Sequence, residues 1–368
     1  MSAHDTGWKV YSLRTTTGEV GSEYDPVTGS WGIDLNKTET MRIEVQKSEL
    51  RNREKLWWMP WSGGVLFTYT GQDGVEEPIV AGPIYDYEYE TTDTLTFLCG
   101  GIRKILERRL VWSDLSFKNM TYGDMAWGLV SHGMDKPGGK LPIIHGTPSE
   151  NGRFEKNYQR WNLANNDIDK LLTDLSELQR GPDIMFRPQW ADEDHTRIVW
   201  VMVNGTQLNP SIPQNGEPDF DTTAAKADIG APTISSSAKY VNSRVWVTGS
   251  GEGEGVVRVY AENLVGVQNG MPFLETVISA SDQSEQGSLQ AKANGALVSP
   301  YEMVDQVTFT VRANSRKHPL GSYHVGDTAQ VTLKGWLNIP DGTRPMKIIS
   351  ANGDFTDAVT LDFQEDRW

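Results

Sequence analysis

At 368 residues the chain is too long for one ordinary hydrophobic core, and with 38% hydrophobic and 10% aromatic residues it is too apolar to stay unfolded, so it suits two to four domains. A formal net charge of −15 excludes the clustered cations that sequence-specific nucleic-acid binding or adhesion to an anionic membrane requires; solubility alone is the plainer meaning of that charge. Cys99 is the only cysteine, which rules out an intrachain disulfide and fits folding in a reducing cytosol. The first eight residues carry no basic segment ahead of an apolar one. The longest conspicuous apolar run, Ile198 to Val203, falls far short of the roughly 20 residues of a membrane helix, so no membrane-spanning segment is expected.

The chain's 36 glycines and 18 prolines favour a turn-rich β protein. Residues 1–112 read as strands: Trp8 to Leu13, Trp31 to Leu35, and the alternating Met41 to Val45, whose Arg42 and Glu44 face away from the apolar set. Val65 to Tyr69 runs into the turn Thr70-Gly71-Gln72-Asp73-Gly74, Pro78 to Tyr87 returns through Gly82, and Leu95 to Cys99 closes the set. The block Leu56-Trp57-Trp58-Met59-Pro60-Trp61 is expected to cover one mouth of a barrel. Ile102, Ile105, Leu106 and Leu110 have helical spacing.

The period changes over 113–235. Thr121 with Asp124 spells a capping box ahead of Met125, Leu129 and Val130, and Gly133 is placed to stop that helix. A second helix has Asn165 or Asn166 as N-cap and Ile168, Leu171, Leu172, Leu175 and Leu178 on one face, ending at Arg180-Gly181-Pro182. Strands Ile184 to Arg187 and Arg197 to Val203 flank the acidic turn at Asp192 to Asp194, which makes a small α/β or α+β domain. Asn204 to Pro232 reads as a long surface connection.

Residues 236–301 carry strands at Arg244 to Thr248, Val256 to Tyr260 and Phe273 to Ser279, then a helix near 284–298 capped around Asp282 to Glu285. Residues 302–368 form a closing β unit: Val307 to Val311, the turn Gly321 to Asp327, then Ala329 to Leu333, Met346 to Ser350 and the alternating Val359 to Phe363. The fold class is therefore mainly β with an α+β insertion, with two small β-barrel domains, at 1–112 and 302–368, flanking the domains at 113–235 and 236–301.

No catalytic, cofactor-binding or metal-binding residue is selected. The histidines (His4, His132, His145, His195, His318, His324) lack metal spacing, no nucleophile elbow exists, and Cys99 sits in an apolar strand. Gly133 to Lys140 misses a phosphate-loop spacing by one residue. Gly249 to Gly255 carries two glutamates that would repel phosphate and reads as a hairpin tip. Asp192, Glu193, Asp194 and Asp282 lack the spacing of a helix–loop–helix calcium site. Trp57, Trp58 and Trp61 suit either sugar stacking or burial in a wall or interface.

Short segments in a fixed order resemble the tail-tip hub proteins of long-tailed phages, a family that includes the amino-terminal part of tail-associated lysins, baseplate hubs and minor tail proteins of actinobacteriophages. The residues carrying the resemblance are Pro78 to Ile84, Leu95 to Gly100, Ala126 to Val130, Gly181 to Pro188, Arg197 to Trp200, Tyr323 to Asp327 and Arg344 to Ile348. It implies a structural virion protein: a homotrimer whose paired barrels build a pseudo-six-fold ring. That ring would meet the distal tail protein ring, the tape measure protein and other tail-tip proteins, and would open for DNA passage. Relatives with a carboxyl-terminal hydrolase run well past the position of Trp368, so the resemblance implies no lytic activity. The alternatives are a carbohydrate-binding receptor module and, behind it, a cell-wall glycoside hydrolase.

Overall fold

The computed structural model describes residues 6–214, 216–224, 228–239, 241–281, 283–297 and 304–365. The first unit contains β1 (Trp8–Arg14), β2 (Glu19–Tyr24), β3 (Thr28–Asp34), β4 (Thr40–Gln46), α1 (Lys47–Arg51), β5 (Gly63–Thr70), β6 (Glu76–Glu90), β7 (Thr94–Gly100) and α2 (Arg103–Leu106). The middle domain comes next, with β8 (Leu115–Met120), α3 (Tyr122–Met134), β9 (Ile143–His145), β10 (Phe154–Tyr158), α4 (Ile168–Ser176), β11 (Ile184–Trp190) and β12 (Ile198–Asn204). After it stand β13 (Asp219–Asp221) and β14 (Thr233–Ser237). A small α+β insertion is made of β15 (Arg244–Thr248), β16 (Arg258–Glu262), α5 (Val265–Gln268), β17 (Glu275–Ser279) and α6 (Gln286–Ala296). The last unit ends the chain with β18 (Val304–Arg312), β19 (Thr328–Leu333), β20 (Gly342–Asp354) and β21 (Ala358–Gln364).

The two β units share one plan. In the first, the pairing order is β3-β4-β7-β6-β5-β1; in the last it is β14-β18-β21-β20-β19-β13. Each places its first long strand against its fourth and runs the second, third and fourth as a meander. The register agrees as far as Tyr87, beyond which β6 alone carries a second bulge at Glu88. Ile84 pairs Cys99 and Asp86 pairs Leu98 across a bulge at Tyr85; Ile348 pairs Phe363 and Ser350 pairs Asp362 across a bulge at Ile349. A bulge bends its strand and redirects the residues beyond it, so β6 and β20 turn the same corner in both units. Inward-facing residues correspond accordingly: Met41, Ile43 and Val45 with Val307, Phe309 and Val311, and Leu95, Phe97 and Cys99 with Val359, Leu361 and Phe363, all buried.

Two closed barrels were expected, and the hydrogen bonds build something else. Among the described residues no pairing closes either unit; both lie on one open path in a thirteen-stranded sheet. The reason lies in β3, whose outer edge pairs with β20 of the last unit, from Ser350 opposite Asp34 to Asp354 opposite Ser30. A single hydrophobic cluster runs through both units, from Trp8 to Phe363.

Residues 204–232, read from sequence as a surface connection, supply β13, which pairs parallel with β19 and buries Phe220 completely among Phe309, Tyr323 and Phe363. A three-residue strand is too short to announce itself by alternation. The helix caps also shift. Thr121 caps α3 as expected, accepting the Asp124 N–H at 3.0 Å, but the helix runs past Gly133 to Met134. Gly133 instead lets Ile168 approach: a Cβ there would lie 2.4 Å from Ile168 Cδ1. The cap of α4 is Asp167, not Asn165 or Asn166, and accepts the Lys170 N–H at 2.8 Å.

Buried polar bolts join the units. Arg103 on α2, almost fully buried, pairs with Asp169 on α4 and donates to Asn36 O at 2.7 Å and Thr173 Oγ1 at 2.8 Å. Asn36, at φ 62°, donates to Asp183 Oδ1 at 3.0 Å and accepts the Ile184 N–H at 2.6 Å. Asp183 also takes Lys347 of β20 at 2.8 Å, both side chains about 5% exposed or less. Three regions thus converge on one carboxylate.

Candidate assembly surface

The surface features that distinguish this molecule are sheet edges. β14 ends the sheet path, so its outer edge pairs with no described strand. The carboxyl-terminal half of β6, from Asp86 to Glu90, pairs with β7 on one side; the corresponding half of β20 pairs with β21 and also with β3. One edge of β6 is therefore open where that of β20 is occupied. The Tyr87 N–H is taken up by the carboxylate of its own neighbour, Asp86 Oδ1 at 2.8 Å, as on an edge without a ladder partner. Tyr89, 61% exposed, stands at the same edge.

The residues weighed for chemistry are mostly occupied in packing. His195 stacks on Trp190 at 4.1 Å, His145 on Trp127 at 5.0 Å, and His132 on Trp112 at 5.3 Å. Burial lowers the His132 and His318 imidazoles, and His318 bonds the Asp219 carbonyl. His324 reaches Asp327. Burial alone would push that carboxyl up, but its hydrogen bonds from His324 and the Arg187 charge outweigh burial and hold it below the usual range. His4 and Asp282 lie outside the described residues. Among the described residues no group of three or more His, Cys, Asp or Glu comes together. Asp192 closes its own turn, accepting Thr196 N–H and Oγ1, both at 2.7 Å. Gly249 to Gly255 joins antiparallel β15 and β16. Burial raises the Cys99 thiol far above its ordinary value.

The Trp57–Trp61 block packs on the first unit. Arg14 lies over Trp57, Lys55 over Trp58 and Arg108 over Trp61, while the Trp58 carbonyl accepts from Tyr87 Oη at 2.9 Å. These rings are engaged by the protein's own cations. The most exposed tryptophan among the described residues is Trp161, at 76%, beside a cleft of about 460 Å³ lined by Gln159, Asn162, Asn165 and Ser288. Nothing in the sequence marks it, since a lone tryptophan in a polar loop has no pattern.

A second cavity, of about 400 Å³, lies where the first unit, β11 and the turn before β19 meet, with Trp31, Val80, Trp190 and Tyr323 on its walls. Glu39 enters it from the junction of β3 and β4. It is almost wholly buried, its Oε2 has no hydrogen-bond partner, and burial raises its carboxyl to about 7. No helix among the described residues is long and apolar enough to cross a membrane.

No protein-family profile and no curated protein matches the chain. Solved structures do. A tail protein from Neisseria meningitidis superposes with a TM-score of 0.57 at 13% identity, covering 98% of this chain and 97% of that one. A 43 kDa prophage tail protein from Shewanella oneidensis gives 0.54 at 12% identity, with 97% and 98% covered. A type VI secretion component from E. coli, described as structurally similar to the phage T4 tail proteins gp27 and gp5, gives 0.50 at 9% identity, with 98% and 76% covered. The chain has the fold of these phage-tail-type proteins, as the sequence resemblance led us to expect.

Proposed function

We propose that this chain is a structural hub subunit of a phage tail tip that assembles as a homotrimer in the virion. One observation carries the reading: two units of the same strand order, with a bulge at the same place, lie side by side in one chain. Three such chains present six near-equivalent surfaces, which is how a trimer meets a six-fold tube without open-ended growth. In that role the ring contacts the distal tail ring and the tape measure, and opens for DNA. Its net charge of −15 suits a conduit that DNA does not stick to. In this proposal the domain divisions fall near residues 112, 235 and 301, with 219–221 and 233–237 also serving the last unit. The protein acts by assembly and not as an enzyme. Mass photometry of the purified protein, with imaging of the virion tip, tests it. A compact trimer is expected; a monomer persisting at high concentration would sink the reading.

A second reading, recognition of a surface glycan, is favoured by Trp161 beside its amide-lined cleft, since exposed indole and amides suit sugar faces and hydroxyls. A glycan array tests it: binding lost in Trp161→Ala supports it, and a blank array removes it.

A further inference from the structure

The joint inside one chain specifies the joint between chains. β3 and β14 are equivalent strands, and so are the bent halves of β6 and β20. Within the chain β3 pairs with β20, yet the equivalent partners β14 and β6 each keep an open edge. We propose that β14 of one copy adds antiparallel to the open edge of β6 in the next copy. This rests on the trimeric reading above and names the strands that make it.

The register can be set residue by residue. Trp31 opposite Met41 corresponds to Ile234 opposite Val307, so Ile33 corresponds to Ser236 and Asp34 to Ser237. The shared bulge sets Ser350 equivalent to Asp86 and Ala351 to Tyr87; beyond Tyr87 the strands diverge, because β6 has a second bulge at Glu88 that β20 lacks. The internal pairs Ser350–Asp34 and Ala351–Ile33 then become Asp86–Ser237 and Tyr87–Ser236 between copies.

Hydrogen-bond direction agrees on both edges. In the internal joint Leu35 N–H donates to Ile349 O at 2.9 Å, which makes Ile349, Ala351 and Gly353 the residues whose backbone faces β3. The equivalents of Ile349 and Ala351 on β6 are Tyr85 and Tyr87, and the Tyr87 N–H is diverted to Asp86. On β18, Gly230 N–H donates to Thr310 O at 2.7 Å, so Thr308 and Gln306 face β14 and their partners Thr233 and Ser235 face inward. Ile234 and Ser236 are left to face the neighbour.

The side chains fit the pairing too. The internal joint sets a hydroxyl against a carboxylate, Ser350 on Asp34, and the external one repeats this with Ser237 on Asp86. The large Ile33 lies opposite the small Ala351, and the large Tyr87 would lie opposite the small Ser236. The β6 edge carries Asp86, Glu88 and Glu90; the β14 edge, Thr-Ile-Ser-Ser-Ser, carries no charge to repel them. A donor edge and an acceptor edge on each chain make a head-to-tail contact. The ring closes because the external step repeats the internal one.

Asp86 is exposed and Ser237 half-buried, and the two would form a non-hydrogen-bonded pair, where side chains approach closely enough for a disulfide. The test combines Asp86→Cys and Ser237→Cys, oxidised and run on a non-reducing gel beside the off-register pair Asp86→Cys with Ser235→Cys. Solution mass is measured in parallel. Covalent dimers and closed trimers in the first variant only, on a protein of trimer mass, are the expected result. Trimer mass with no link, or with linking in the off-register pair, overturns the strand assignment and leaves the trimer standing. Monomer mass throughout overturns both. Ser236→Pro removes an N–H that faces outward and leaves the β18 ladder intact, so it is expected to keep the parent circular dichroism and lose the trimer; a folded trimer in that variant would refute the pairing.

Discussion

The first and last β units reach the same strand order by different routes. The first is built from contiguous chain, with β1 antiparallel to β5. The last is gathered from β13, β14 and residues 304–365, has β13 parallel to β19, and carries the α+β insertion between β14 and β18, where the first unit has only the short turn between β3 and β4. Their cores differ in composition: Trp8, Tyr24, Tyr69 and Phe97 in the first, and a cluster of Phe220, Phe309 and Phe363 in the last. What is held constant is the strand order and the bulge at Tyr85 and Ile349 that bends β6 and β20. Topology tolerates exchange of core side chains so long as volume and alternation are kept.

The comparison is most strongly tested at β13. Phe220 occupies the position that Val10 holds in the first unit, each opposite a buried residue of the neighbouring strand, Val331 and Phe67. Phe220→Ala should cost about 3–5 kcal/mol in urea unfolding, as fully buried aromatics do, and more than Val10→Ala. An effect below about 1 kcal/mol would mean that the last unit does not depend on β13.

The bolt at Asp183 has no counterpart at the open edges. Lys347→Met leaves a buried carboxylate short of its cation and should cost about 3–4 kcal/mol. Adding Asp183→Leu should recover much of that. A double variant as unstable as the single would show that the Asn36 bonds, and not the charge pair, hold the junction.

Glu39 adds a pH signature. Its folded-state carboxyl at about 7 lies above its ordinary 4.5, so between those values the native state holds the extra proton and stability falls as pH rises. Glu39→Gln should flatten that slope and gain about 3 kcal/mol relative to the parent above pH 7. Parallel stability curves for the two proteins would contradict the burial argument. The smallest effect belongs to the cap of α3: Thr121→Ala should cost about 1 kcal/mol, read as a small shift in the melting temperature.

Much of the architecture was legible in the residues. Met41 to Val45 and Val359 to Phe363 declared themselves because a half-buried strand must alternate, Val65 to Tyr69 and Leu95 to Cys99 as short apolar runs that are buried on both faces, and the mainly β class with its α+β insertion came with them. The Thr121 cap was readable because its partner lies three residues away. The phage-tail-type fold was readable only as an order of weak segments.

The residues alone determined local periods, the Thr121 cap and the absence of a charge pattern for nucleic acid, since each depends on neighbours within a turn or a strand. Tertiary structure decided the rest: that Phe220 belongs to a core, that Gly133 is a helix contact and not a stop, that Asp183 ties three regions, and that β3 pairs with β20 instead of closing a barrel. All of these depend on partners more than thirty positions away along the chain, where the period of a segment says that it has an edge or a face but not what will cover it.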